Sequence, residues 1–287
     1  MTQHEVLDKS YHGQHHVKPL KFQRHDLPLF LEGFVHALRV VDRRQALELF
    51  RSVKKSSLYD KKLGMYRVNA DLSRETQEIG RARIFPVGWL ENESVWLHME
   101  YKYLLELLRN GLVGEFYEEI KTSLVPFQDP ERYGRSILEN SSFIVSSAHE
   151  DKNLHGQGFV ARLSGSTAEF LHIWLLINMG LKPFVMKDNQ LTLTFAPLLA
   201  EWMFTQKESG QFAANTYAFK LFAKTLVVYH NPLRQKTYGP KAVGATKIIL
   251  TYSEKNRKIE FNGSIVKGSV AEDIRNGLFS RIDIILG

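Results

Sequence analysis

Cysteine is absent from the 287 residues. That excludes a disulfide framework, a zinc–thiolate site and a thiol nucleophile. Long apolar runs are lacking as well. The most apolar stretch, Phe170 to Met179, contains His172 and Asn178 and falls short of the ~20 apolar residues that a membrane span needs. Met1 to Lys21 is polar and His-rich, with His4, His12, His15 and His16 and no apolar core. The sequence therefore predicts no secretory signal, no membrane partner and a cytoplasmic protein. Also missing are a Gly-x-Ser-x-Gly elbow, a P-loop and a dinucleotide fingerprint, so no cofactor is expected. His149 and His155 flank a Gly-rich segment, but their spacing matches no metal motif, and no metal site is expected.

The remaining composition is ordinary: 44% hydrophobic and 24% charged, enough for a sizeable core. The net charge of +7 has a local origin, because residues 18–83 alone hold 15 basic and 8 acidic side chains. A basic stretch suits an anionic partner such as phosphate, an acidic protein face or nucleic acid. A solvated surface gives the same composition. No nucleic-acid motif accompanies the charge, so nucleic acid is not expected as a partner.

Along the chain, residues 1–25 read as an irregular lead-in. Helical spacing starts at Leu27, Leu29, Phe30, Phe34, Leu38 and Val41. Asp42 is placed to cap a second helix with Ala46, Leu47, Leu49 and Phe50 on one face. Residues 56–90 have no period and read as a long ordered loop. Helices follow over about 92–110, 113–124, 131–144 and 166–179, with Gly111 and Gly180 as stops. After Pro183 the period becomes two. Leu191, Leu193 and Phe195 alternate with threonines, and further strands are expected at 217–221, 226–229, 247–252, 258–261 and 282–286. Asn262-Gly263 reads as a hairpin turn.

Two helix starts are candidate anion sites, since free backbone N–H groups and the helix dipole converge there. One is Leu163-Ser164-Gly165-Ser166-Thr167-Ala168, which also fits ordinary capping of a core helix. The other is Asn92 to His98, where His98 fits either a ligand role or a structural one. The carboxylates Glu91, Glu93, Asp129, Glu139 and Asp151 form no acid/base pair recognisable from spacing. Trp89, Trp96, Tyr101, Tyr103 and Phe143 suit sugar stacking or core packing equally by type.

Taken in order, Asn92-Glu93-Ser94-Val95-Trp96-Leu97-His98, then Glu139-Asn140-Ser141-Ser142-Phe143, then Gly156 to Ala168, then Gly180-Leu181-Lys182-Pro183, the chain resembles the C-terminal half of the cellobiose and chitobiose phosphorylases. These are inverting glycoside phosphorylases, formerly grouped as glycosyltransferase family 36. The resemblance covers about residues 26–235. It implies a partial (α/α)6 barrel over 26–185 and a small C-terminal antiparallel β-sandwich over 186–287. It implies phosphorolysis of a β-glucoside to an α-sugar 1-phosphate, with inorganic phosphate as co-substrate and a β-linked disaccharide or oligosaccharide as partner.

Carried over by position, His98, Ser164, Gly165 and Arg162 are implied phosphate contacts, and Glu139, Asn92 and Trp96 sugar contacts. The family's Gly-Gly is Glu93-Ser94 here, and its Thr is Ser164. Its general-acid Asp lies in a Gly-Asp-Trp-Asn-Asp-type segment, and none of Trp89, Trp96, Trp174 and Trp202 sits in one. No catalytic residue is therefore assigned. The resemblance implies the C-terminal portion of such an enzyme, inactive alone, or a non-catalytic carbohydrate- or phosphate-binding remnant. Half a barrel leaves apolar helix faces open, so a homo-oligomer or a complementing N-terminal chain is expected.

Overall fold

The structure is a computed structural model and describes residues 1–160, 165–254 and 257–287. The lead-in is a hairpin, not an irregular segment. β1 (Gln3–Tyr11) and β2 (Gln14–Lys21) pair antiparallel. The two-residue loop between them, His12-Gly13, has φ of +49° and +79°, as hairpin twist demands. The sequence hides this element because it has no apolar face. Every side chain in it whose exposure is described is open to solvent.

Helices α1 (Leu31–Leu38) and α2 (Arg43–Lys55) come next. α2 begins with the expected cap: Asp42 accepts from Gln45 N–H, and the Gln45 side chain accepts from Asp42 N–H. The loop at 56–90 is ordered. It holds the short pair β3 (Tyr59–Asp60) and β4 (Met65–Tyr66). Asp60 is fully buried and accepts from Ser147 N–H and Oγ, both at 2.7 Å. Burial pushes its carboxyl up, and the Ser147 donors with Arg67 more than offset that and hold it below the usual range.

The region 91–183 contains β5 (Val95–Trp96), α3 (Leu97–Arg109), α4 (Val113–Ser123), α5 (Pro130–Tyr133), β6 (Phe143–Ile144), β7 (Gly158–Phe159) and α6 (Gly165–Met179). The helix expected over 131–144 is one turn. Gly134, at φ +68°, ends it, and Phe143 and Ile144 pair with β5 and β7 instead. α3 is the centre of this half, with α1, α4 and α6 packed on it.

The C-terminal half begins with β8 (Phe184–Lys187) and β9 (Gln190–Thr194), followed by β10 (Thr216–Leu221), β11 (Thr225–His230) and β12 (Ala245–Tyr252). It ends with β13 (Lys258–Asn262), β14 (Ile265–Lys267), α7 (Ser269–Asn276) and β15 (Phe279–Leu286). One sheet has the order β10-β11-β15-β12-β13 and the other β14-β9-β8. β11 and β15 run parallel. Asn262-Gly263 makes no hairpin; it passes the chain from β13, in the first sheet, to β14, in the second.

This overturns the expected fold class. The described residues form seven helices and fifteen strands in five small sheets, not a set of paired barrel helices followed by an antiparallel sandwich. In the first half the helices surround one central helix and are interleaved with short strands. In the second, the parallel pair and α7 break the antiparallel, all-β pattern. Two cores result, one around α3 and one between the C-terminal sheets, and α6 lines both. No helix among the described residues is long and apolar enough to cross a membrane.

Candidate anion and sugar site

The three short motifs are joined by one small sheet. β5 pairs with β6, and β6 pairs with β7, all antiparallel. The end where β5 runs out therefore also holds the start of β6 and the exit of β7. His98 follows β5, Ser141 and Ser142 precede β6, and Gly165 follows β7 after a short connection. Leu97 N–H donates to the Ser142 carbonyl at 3.0 Å, and Ser166 Oγ donates to the Ser141 carbonyl at 3.4 Å. The sheet thus brings to one corner residues that are far apart in the chain.

At that corner the His98 imidazole lies against the first residue of α6. A Cβ built on Gly165 stands 2.5 Å from His98 Nδ1 and 2.6 Å from Cγ, closer than real contacts permit. Only glycine lets the ring approach this far. The other ring nitrogen, Nε2, faces Glu169 Oε1 at 3.6 Å. His98 is thus held along the first turn of α6 with Gly165 against its ring face and a carboxylate at Nε2. Glu169 is a partner that the motif reading missed, although its place one turn after Gly165 is visible in the sequence.

The other expected residues fall out differently. Ser164 and Arg162 lie outside the described residues. Ser166 spends its hydroxyl on Ser141 and is buried. Trp96 stacks flat on Phe143, at 6.0 Å between ring centres, in an aromatic layer that Trp89 and Phe159 extend. Glu139 is exposed and paired with Arg135 at 2.7 Å.

Asn92 lies beyond the other end of β5, away from His98. Its Nδ2 donates to the Phe85 carbonyl, while its Oδ1 is buried without a partner. It lines a cleft of about 510 Å3 with Asp71, Ser73, Gln77, Arg83 and Phe85. This cleft, which Ile84, Pro86 and Val87 also line, was not visible from spacing, because the loop has no period. The Glu93 backbone, next in line, has φ +54°. Its N–H donates to Asn69 Oδ1 at 2.6 Å, and its carboxylate pairs with Arg67 at 3.1 Å. Burial pushes the Glu93 carboxyl up, while Arg67 pulls it down.

Among the described residues no cluster of three or more His, Asp or Glu side chains is arranged to hold a metal ion. No protein-family model matches the chain, and no curated protein matches it by sequence.

Proposed function

We propose that this chain binds inorganic phosphate where His98 meets the first turn of α6, as the phosphate-gripping part of an inverting glycoside phosphorylase. The observation that carries this reading is the contact of the His98 ring with Gly165. It sets an imidazole donor beside helix-start amides that have no intrahelical acceptor. Donors held in place in this way stabilise an oxyanion without reorganising. A second feature supports the resemblance. Glu93 stands where the family motif has glycine and adopts a left-handed backbone, which glycine takes at no cost.

In the reaction, a phosphate oxygen attacks the anomeric carbon while an acid protonates the departing sugar oxygen, giving an α-sugar 1-phosphate with inversion. His98 and the α6 amides would hold the nucleophile. The chain lacks the family's tryptophan-flanked Asp, so the proton donor has to come from elsewhere. That same lack favours a second reading, a binding protein that does no chemistry.

Two measurements test these readings. Adding phosphate is expected to shift the His98 ring resonances saturably, and the shift is expected to vanish in Gly165→Ala. An unmoved ring signal sinks the phosphate site. Incubation with cellobiose and phosphate is expected to release no glucose 1-phosphate from the chain alone, and its release would refute the missing-acid argument.

A further inference from the structure

The C-terminal half carries another cleft, of about 520 Å3, between the turn at 200–202 and the loop at 235–241. Its floor is aromatic. Trp202 is 44% exposed, yet its ring is fixed by edge contacts with Tyr117 at 6.0 Å and Phe127 at 6.1 Å. Tyr238 stacks on Tyr117 at 5.4 Å. An indole this open forgoes much of the stabilisation that burial gives, and aromatic side chains grouped at a cleft mark binding surfaces.

The two walls are tied at their base. Thr237 Oγ1 accepts from Leu199 N–H at 2.7 Å and donates to the Pro197 carbonyl at 2.6 Å. The Asn231 side chain bonds both the carbonyl and the N–H of Gln235. Arg234 and Lys241 have φ of +47° and +63°, a strained backbone that persists where its surroundings over-determine it. The cleft is pre-formed, so a ligand loses little affinity to ordering it.

The rim offers both signs of charge. Glu201 and Lys241 are exposed and make no ion pair among the described residues. Lys236 Nζ lies 5.4 Å over the Tyr238 ring. This set separates ligand classes. Phosphate satisfies the lysines but has no use for the indole and leaves Glu201 without a donor. A wholly apolar ligand covers Trp202 but leaves Glu201, Lys236 and Lys241 without partners. A pyranose satisfies every group, with its C–H face on the ring and hydroxyls that both donate and accept.

The geometry points to a second carbohydrate-binding site, in which Trp202 stacks on a pyranose of a neutral glycan and Glu201, Gln235, Lys236 and Lys241 hold its hydroxyls. It stands apart from the phosphate reading and does not require it.

The test is calorimetric titration of the full chain with cellotetraose and with chitotetraose. At least one is expected to bind saturably. Trp202→Ala is expected to weaken binding about tenfold or more, the loss of one well-packed contact. His98→Ala is expected to leave it unchanged. Absence of binding by both sugars overturns the site, as does full affinity in a folded Trp202→Ala. If that variant does not fold, the exposed-position double variant Glu201→Gln/Lys241→Ala decides, and undiminished affinity there overturns the site. Sugar binding lost with His98→Ala but kept in Trp202→Ala assigns the glycan to the other site and overturns this one. A chain that binds sugar through Trp202 but gives no phosphate response at His98 refutes the phosphate reading alone.

Discussion

Gly165 lies so close to the His98 ring that a methyl group has no room. Gly165→Ala therefore forces the imidazole aside. Gly165 heads α6 and does not lie in its interior, and the rest of the helix packs independently of it, so the fold is expected to survive while phosphate binding falls. Thermal unfolding and the phosphate titration, run together, separate the two effects. A second residue-scale case is Asp283, in β15. His230 Nε2 and both nitrogens of an Arg281 fork meet its carboxylate at 2.7–2.8 Å. Burial pushes the carboxyl up, but these donors more than offset that and bring it to about 2. The unfolded value is about 4. The folded form thus binds fewer protons, and the stabilisation is complete above that unfolded value and lost as pH falls through about 2. Partial exposure discounts it to about 1 kcal/mol. Asp283→Asn is expected to cost that much at neutral pH, with the difference closing in acid. Urea unfolding at a series of pH values checks it, and a pH-independent difference refutes the ionic account.

At the scale of elements, local signals were readable wherever one face of a segment is apolar and its end is capped. The box at Asp42 and Gln45 is such a case, and α2 begins where the sequence placed it. Asp42→Ala leaves one amide unpaired and is expected to cost about 1 kcal/mol, measured by chemical denaturation; a change under a few tenths shows that solvent replaces the cap. α4 and α6 were legible from apolar content set off by glycines, Gly111 before α4 and Gly180 after α6. The failures are equally local. The 131–144 reading counted apolar residues and overlooked Gly134. The hairpin β1–β2 has no buried face to create a period. α7 is short, and its two buried residues, Ala271 and Ile274, are too few to stand out among strands. At the site, His98 and Gly165 were singled out from sequence and are brought together. Asn92 and His98, also grouped by the motif, are placed at opposite ends of β5, because two strand residues extend the chain between them.

The whole molecule exposes more surface than a compact chain of its size. Its 16,726 Å2 exceeds the roughly 12,600 Å2 that scaling gives for such a monomer. The hairpin contributes part of this, with Val6, Val17 and Leu20 all exposed. Isolated two-stranded hairpins are marginal in water. Removing residues 1–21 is expected to move the melting temperature by no more than about 2 °C. A larger fall in a calorimetric scan shows that the arm supports the folded body.

The sequence by itself determined the local chemistry of this protein: no thiol, a charge excess carried by residues 18–83, capped amphipathic helices and alternating strands. These follow from neighbours a few positions apart, where backbone geometry alone relates side chains. The tertiary structure alone decided that β11 and β15 run parallel, that α6 lines two cores, and that His98, Ser141 and Gly165 share one corner. Each of these depends on which distant segments pair. Strand pairing is set by the total burial it achieves, which no single stretch of residues encodes.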